Sequence, residues 1–449
     1  METGVEMPTV MRLRPADAGR PVRSRLPRLA PRRVLPRIEE PATRQTNALR
    51  AITLGLAFTL VQLFVAVVLL APEGPLHYRY NTLVQHDSYW FANIIDRGYD
   101  TILPPIQHKM MEVSNVAFFP AYPGLAGALH HWLGVPTYDA LLIVAQLAAW
   151  GFWTYFFLLS ERWKLSPLMQ LFGALAIFAH PTAFFLIAGY SESLFLMGLL
   201  GFVYWTAVDT RGANVLAAVH GFGMAATRIV GIPCALYPVM RSFFQGGWAQ
   251  LRNVRGWFRQ YLGAALVAGV SMMGAIGFFI YCLLRWGHWD LYMETQRAGW
   301  DIRPDYLAVF KLESYRWLVP AIDDPTKWSQ MTMTVGALLF VAVAIVELVP
   351  ALRMQTNWRK RVSLYIVAFI TYYIAVSGVA SVQMESMLRY QFCAHVLIVL
   401  ALLHFFAHLP APSAWPRAIG LTVFALLCAA GLGLQGWWVW NFTRGNWVA

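Results

Sequence analysis

The sequence consists largely of apolar segments about 20 residues long, the length that an α-helix needs to cross a bilayer. In lipid, backbone N–H and C=O groups must bond within the chain, so such segments can only be helices there. The composition agrees, because 58% of the residues are apolar and 13% are charged, against roughly a quarter charged in soluble domains. We therefore predict an all-α multi-pass membrane protein with about eleven transmembrane helices. The segments are 49–71, 138–160, 167–188, 191–208, 213–228, 229–243, 260–284, 329–352, 362–381, 390–409 and 417–440.

A further apolar stretch, 117–134, is shorter and contains Pro120, Pro123 and two adjacent histidines, His130 and His131. We interpret it as a half-membrane or surface segment, with a full span as the alternative. The chain has no internal repeat of 20–50 residues, so the sequence does not support a solenoid or an inverted-repeat transporter.

Half of the net charge of +12 lies in residues 1–50, which contain eleven arginines against five acidic residues. The tail 1–48 is rich in proline and poor in aromatic residues, so we predict that it is disordered. Basic residues before a first membrane helix are typical of a cytoplasmic anchor on anionic membrane lipids. This interpretation argues against a nucleic-acid partner. It also divides the chain into this tail and a transmembrane domain, 49–449.

Basic residues also predict the orientation of the loops, because they are enriched on the cytoplasmic side. With the N-terminus inside and 117–134 not spanning, the basic clusters of the later loops fall inside. The opposite, non-cytoplasmic side receives the first outer loop, 72–137, the turn 189–193, the second outer loop, 285–328, and the turn 381–390. The loops with unusual polar content thus meet on one side, where the two long ones are expected to cover a single cavity.

The most unusual part of the first outer loop is 86–99, HDSYWFANIIDRGY. Taken as a helix over 87–99 it is amphipathic, which is typical of a helix lying in the membrane interface. Asp87 is at its start, where free backbone N–H groups and the helix dipole favour a carboxylate. The position fits a plain helix cap as well as a catalytic base, and the pattern leaves both roles open.

Several stretches together resemble the PIG-V-like family of GPI mannosyltransferases and its prokaryotic relatives, which belong to the membrane-embedded glycosyltransferase C superfamily. The resemblance rests on 86–99 followed by AFFPAYP at 117–123, on HPTAFFLIAGYSESLF at 180–195, and on ATRIVG at 226–231. Weaker matches are QRAGW at 296–300 and LRY at 388–390. The matches run in the family's order from about residue 50 to residue 405.

The resemblance implies a fold of the glycosyltransferase C type with interfacial helices in the first outer loop. It implies that Asp87 is the catalytic base for transfer of a hexose, with a leaning toward mannose, from a polyprenyl-phosphate donor. The expected acceptor is a lipid or glycan on the non-cytoplasmic face. The transfer is expected to invert the configuration at the anomeric carbon. The expected location is the cell membrane of a prokaryote, with membrane lipids as further partners.

Arg228 and Arg389 lie at the edges of apolar segments, where an unpartnered charge is costly. A planar guanidinium can bind two phosphate oxygens at the same time, through two parallel N–H donors. The alternative is a structural pair with a carboxylate such as Glu192 or Glu385, and the sequence leaves both open. Glu192 itself is expected either to cap the next helix or to bind sugar and orient an arginine.

The remaining candidate substrate-binding residues are His86, Tyr190, Gln296 and Arg297. No metal ligand is assigned, because neither His86–Asp87 nor His108 with Glu112 forms a known zinc signature. The sequence leaves open whether the protein binds a divalent cation, since some members of the superfamily use one and others do not. The competing function is a transporter or flippase of lipid-linked sugars, which would move labelled sugar across vesicles without covalent transfer.

Overall fold

The computed structural model describes residues 45–101, 114–208, 210, 212–246, 254–315, 325–349, 358–409 and 414–448. Residues 1–44 of the predicted tail, and the pair His108 and Glu112, lie outside these ranges. In the described part of the chain the regular structure is helical, without strands. The all-α prediction is therefore confirmed.

The first eight α-helices run from the start of the described chain to residue 225. They are α1 (Gln45–Leu63), α2 (Leu76–Asn81), α3 (Asp87–Arg97), α4 (Ala121–Leu133), α5 (Thr137–Arg162), α6 (Pro167–Phe178), α7 (Glu192–Ala207) and α8 (Ala213–Ala225). A π-helical stretch, Phe64–Leu70, extends α1, and a 3-10 turn, Ala183–Leu186, lies between α6 and α7.

The other nine α-helices complete the described chain. They are α9 (Gly231–Cys234), α10 (Tyr237–Gly246), α11 (Val254–Trp286), α12 (Leu291–Trp300), α13 (Pro325–Leu348), α14 (Val362–Val379), α15 (Met387–Tyr390), α16 (Phe392–Ala407) and α17 (Ala414–Phe442). Short 3-10 turns lie at Ala308–Phe310, Leu312–Ser314, Trp358–Lys360 and Ala380–Val382.

Within the described residues, seven helical stretches are long and apolar enough to cross a membrane. They are 48–70, 137–162, 261–286, 328–348, 362–382, 387–407 and 415–442. The multi-pass prediction is confirmed, but the count of about eleven is not. The difference lies between 167 and 243, where turns at His180–Pro181 and at Arg228–Gly231 divide the apolar sequence into shorter helices.

The stretch 117–134 contains a helix of only 13 residues, α4, which is too short to span. It packs on α3 and α5. The apolar face predicted for 87–99 is the packed face of α3, because Phe91, Ile94 and Ile95 are buried while Arg97 is exposed. The helix ends at Gly98, whose φ of +76° favours glycine.

Successive helices of the first half pack side by side, α1 on α5, α5 on α7, α7 on α8, and α8 on α11. A hydrogen-bonded group of polar side chains joins three of them. Trp205 Nε1–H donates to Tyr155 Oη at 2.9 Å, and Tyr155 O–H donates to His220 Nε2 at 2.8 Å. The His220 Nδ1–H donates to Leu216 O at 2.7 Å, so each polar group has a partner inside the helix bundle.

The packing of α11 on α8 depends on a glycine. A Cβ at Gly274 would overlap the carbonyl oxygen of Phe222 and lie 2.7 Å from the backbone nitrogen of Ala226, whereas a Cβ at Gly277 has no neighbour within 4 Å. Small residues of this kind let membrane helices approach closely.

We predict that Gly274→Ala lowers the free energy of unfolding by about 1–3 kcal/mol, because the two backbones must separate. Thermal unfolding of the detergent-solubilised protein measures this as a lower Tm. Gly277→Ala, one turn away on the same helix, is the control and should leave Tm unchanged or slightly raised. Equal effects of the two substitutions would show that close approach at Gly274 is not what holds α8 to α11.

Candidate active site

Asp87 is the first residue of α3, and its carboxylate does not cap the helix. Asp87 Oδ2 accepts a hydrogen bond from Arg389 Nη1 at 2.8 Å. The N-cap position is taken by His86, whose side chain makes no capping bond and whose φ is +49°. The helix start therefore turns the carboxylate toward a residue 302 positions further along the chain.

Arg389 lies in the short helix α15, which follows a tight turn. Gln383, Met384 and Ser386 in this turn all have positive φ, at 55°, 65° and 60°. Positive φ in residues other than glycine is uncommon and costs on the order of 1–3 kcal/mol at each position. Both residues of the ion pair thus follow backbone held in an unfavourable conformation, an arrangement that clusters at functional sites.

A second ion pair lies beside the first. Arg228 Nη1 is 2.5 Å from Glu192 Oε1, and Arg389 Nε is 3.6 Å from the same oxygen. The order Asp87, Arg389, Glu192, Arg228 alternates in sign, so each buried charge has an opposite neighbour. Charges removed from water need such partners, because the desolvation penalty is several kcal/mol for each ion.

The four side chains differ in exposure. Those of Arg389 and Glu192 are 5% and 6% exposed, whereas those of Asp87 and Arg228 are 21% and 20% exposed. Arg389 and Glu192 are thus the buried centre of the cluster, and Asp87 and Arg228 are its partly exposed ends. Asp87 is therefore the carboxylate of the cluster that a bound molecule can reach most easily.

Aromatic rings surround the two guanidiniums. The centre of the Arg389 guanidinium is 5.5 Å from the Phe185 ring, 5.3 Å from Tyr190 and 5.0 Å from Tyr390. Arg228 is 5.4 Å from the same Tyr390 ring. Contacts of a cation with ring faces stabilise a charge that lacks water, and they also restrict its orientation.

The ion pairs form one wall of a cavity of about 320 Å³. All four charged residues line it. Most of the other lining residues are apolar, and both outer loops contribute to them. Lining residues from these loops are Phe91, Ala117, Phe118 and Phe119 in the first and Tyr292, Met293, Gln296, Ile302, Pro304 and Tyr306 in the second.

Several polar atoms of the cavity lining have no hydrogen-bond partner among the described residues. They are Tyr190 Oη, Glu192 Oε2, Arg389 Nε and Ser377 Oγ. Burial, followed by the charge of Asp87, raises the pKa of Tyr190, and burial raises the pKa of Tyr292 in the same cavity. Both phenols therefore keep their protons and can donate as well as accept a hydrogen bond.

Of the candidate substrate-binding residues Gln296, Arg297 and His86, only Gln296 lines the cavity. Gln296 donates from Nε2 to the Ala117 carbonyl at 3.2 Å. Arg297, by contrast, points outward, is 58% exposed and pairs with Glu294 at 2.5 Å. His86 is also absent from the cavity wall, because its ring packs against Phe442 and Trp447.

Of the two carboxylates considered as partners of the arginines, Glu192 lies beside both Arg228 and Arg389, whereas Glu385 is exposed. Asp87 is a further partner of Arg389. Trp447, which no sequence pattern singled out, has its ring 5.9 Å from the Arg389 guanidinium. A tryptophan after the last membrane helix carries no signal that separates it from an ordinary interfacial anchor.

No cluster of three or more His, Cys, Asp or Glu residues suited to a metal ion occurs in the part of the chain that the structure describes. His86, a candidate for such a cluster, donates from Nε2 to the Asn446 carbonyl at 3.2 Å. His130 and His131 bond to the backbone oxygens of Val135 and Ile95.

No protein-family model and no curated protein matches the sequence. The fold is similar to the crystal structure of ArnT from Cupriavidus metallidurans bound to undecaprenyl phosphate, with 14% identity, a TM-score of 0.47, and coverage of 84% of this chain and 63% of that one. The same protein in the apo state matches with 17% identity, a TM-score of 0.46 and coverage of 84% and 64%.

A cryo-EM structure of arabinofuranosyltransferase AftD from Mycobacteria is also similar, with 17% identity, a TM-score of 0.45 and coverage of 91% of this chain and 27% of that one. This chain therefore corresponds to about 63% of the length of ArnT and to a smaller part of AftD. At these identities the likeness does not extend to activity.

Glu192 lies between two arginines and is opposite in charge to both, so we expect its charge to stabilise the fold. Glu192→Gln keeps the shape of the side chain but leaves two guanidiniums without their common counter-charge. Breaking a buried pair in this way is expected to lower the free energy of unfolding by about 3 kcal/mol.

Thermal or denaturant unfolding in detergent measures the effect. The control is Glu294→Gln, which breaks the largely exposed pair with Arg297 and should lower stability by less than about 1 kcal/mol. A loss for Glu192→Gln no larger than that of the control would mean that the charge cluster does not stabilise the fold.

Proposed function

We propose that the protein is a membrane glycosyltransferase that transfers a hexose from a polyprenyl-phosphate donor to an acceptor hydroxyl. The observation that carries the proposal is the pairing of Asp87 with Arg389 in the wall of a largely apolar cavity, beside the second pair of Glu192 and Arg228. The partly exposed carboxylate of Asp87 provides a proton acceptor, and the guanidiniums of Arg389 and Arg228 in the same cavity lining provide a site for a leaving phosphate.

The reaction follows from these groups. Asp87 accepts the proton of the acceptor hydroxyl while the acceptor oxygen bonds to the anomeric carbon of the sugar. The bond between that carbon and the phosphate oxygen breaks, and polyprenyl phosphate leaves with the electron pair. Attack opposite to the leaving group inverts the anomeric centre, and the proton on Asp87 is later released to water.

The ion pair couples proton uptake to departure of the phosphate. Before reaction, Arg389 is balanced by Asp87 at 2.8 Å and by Glu192 at 3.6 Å. Protonation neutralises Asp87, so the positive charge of Arg389 is less compensated at the moment when the leaving phosphate gains a second negative charge. A donor fixed in advance, whose charge becomes available in the transition state, is what electrostatic catalysis requires.

The rest of the cavity supports a lipid-linked sugar as the donor. Its apolar walls suit the first isoprene units of a polyprenyl chain, and the unpartnered oxygens of Tyr190 and Ser377 suit sugar hydroxyls. The resemblance of 86–99, 180–195 and 226–231 to the PIG-V-like family favours mannose as the sugar. The acceptor is a lipid or glycan, and the reaction is expected on the non-cytoplasmic face.

We predict that Asp87→Asn lowers the rate of sugar transfer by roughly 10²–10⁴-fold, the usual contribution of a general base. The assay is transfer by the purified protein from polyprenyl-phosphate mannose, with the glucose donor in parallel, to a panel of lipid and glycan acceptors. Asp96→Asn is the matched control, because Asp96 lies on the same helix, is exposed and bonds to Thr137 instead.

Full transfer by a folded Asp87→Asn protein would refute the assigned base. Movement of labelled sugar across vesicles without covalent transfer would favour the transporter instead.

The geometry of the Arg389 guanidinium is expected to matter for transfer as well as its charge. Arg389→Lys keeps the charge but lacks the planar fork through which Arg389 bonds to Asp87 from Nη1 while Nε lies beside Glu192. We expect the rate to fall at least roughly tenfold, in the same assay, whereas Arg297→Lys outside the cavity should stay near the wild-type rate. If lysine serves at position 389 as well as arginine does, the phosphate is not held through a guanidinium.

A further inference from the structure

The residues after α17 fold back over the start of α3. The reversal takes place at Gly445, whose φ is +83°, a conformation that favours glycine. Asn446 closes the turn, since its backbone N–H donates to Asn441 O and its side-chain amide donates to Asn441 Oδ1, both at 3.1 Å. Thr443 and Val448 are buried at 2% and 3% exposure, so the segment 442–448 is packed into the fold.

This segment holds His86, the residue that directly precedes Asp87. His86 Nε2–H donates to the Asn446 carbonyl at 3.2 Å. Its ring meets Trp447 edge-on, with centroids 5.0 Å apart and an angle of 89°, and lies 5.9 Å from Phe442. These contacts oppose relaxation of the unfavourable φ of +49° at His86 and so fix the direction in which α3 begins.

The same segment also touches the other half of the ion pair. The Trp447 ring is 5.9 Å from the Arg389 guanidinium. Phe442 packs against the rings of Phe185 and Tyr190, at 5.6 and 5.9 Å, and both of these rings contact Arg389 as well. Trp447 does not line the cavity, so its contact with the pair does not occupy the proposed substrate site.

We propose that 442–448 is a positioning segment for the Asp87–Arg389 pair, with Trp447 as the positioning residue. The catalytic part of this inference rests on the function proposed above. Trp447 fixes both partners at once, His86 and through it Asp87 on one side, and Arg389 on the other. Without it the guanidinium gains other orientations, and the distance between base and arginine is no longer held.

The test compares Trp447→Ala, Trp447→Phe and Trp437→Ala in the full-length protein. Trp437 is the matched control, because it precedes the segment on α17 and is 40% exposed against 38% for Trp447. For Trp447→Ala we expect kcat for sugar transfer to fall roughly three- to tenfold. KM for the donor should stay within about twofold, because Trp447 does not touch the cavity. Trp447→Phe, which keeps a ring face, should restore kcat to within about twofold.

Amide hydrogen exchange supplies a readout that does not depend on activity. Exchange in peptides covering 84–91 should become faster in Trp447→Ala, on the order of tenfold, and should not change in Trp437→Ala. Unchanged exchange in Trp447→Ala overturns the inference whatever the kinetics show, and faster exchange with unchanged kcat overturns its catalytic part. Absence of transfer by the wild-type protein refutes the proposed function instead, and the exchange result then decides whether 442–448 holds the start of α3.

Discussion

The arrangement of this protein depends on four charges that sit among apolar helices. Asp87, Arg389, Glu192 and Arg228 alternate in sign, and each is tolerable there only because its neighbour is opposite. They come from four separate parts of the chain: the start of α3, α15, the start of α7 and the turn after α8. Satisfying the charges therefore brings these parts to one place, and the cavity forms where they meet.

The helices act as the rigid support for this cluster, and the backbone turns at their ends direct the side chains. Close contact of α8 with α11 at Gly274 holds the turn that carries Arg228. Unfavourable φ values at His86, and at three residues before α15, aim Asp87 and Arg389 at each other. Such conformations persist only where the surrounding packing over-determines them. The aromatic rings around Arg389 and the segment 442–448 provide that packing.

The same physics that stabilises the cluster serves the proposed reaction. Because the four charges sum to zero, loss of one negative charge at Asp87 leaves one positive charge uncompensated nearby. A single arginine in an apolar wall would instead be neutralised by an unrelated group or destabilise the helix. Stability and chemistry thus depend on the same contacts.

The amino-acid sequence by itself determined the membrane class, the amphipathic pattern of α3, the place of Asp87 at a helix start, and the need of the two arginines for partners. Length, periodicity and isolated charges are local properties, so a sequence shows them directly. It did not determine the number of full spans, since three short helices, Pro167–Phe178, Glu192–Ala207 and Ala213–Ala225, are apolar like the longer ones and differ in length. Only the tertiary structure paired Asp87 with Arg389 across 302 positions, turned Arg297 and His86 away from the cavity, and placed Trp447 beside both Arg389 and His86. Contacts between distant residues depend on how all the helices pack together, and no local pattern encodes that.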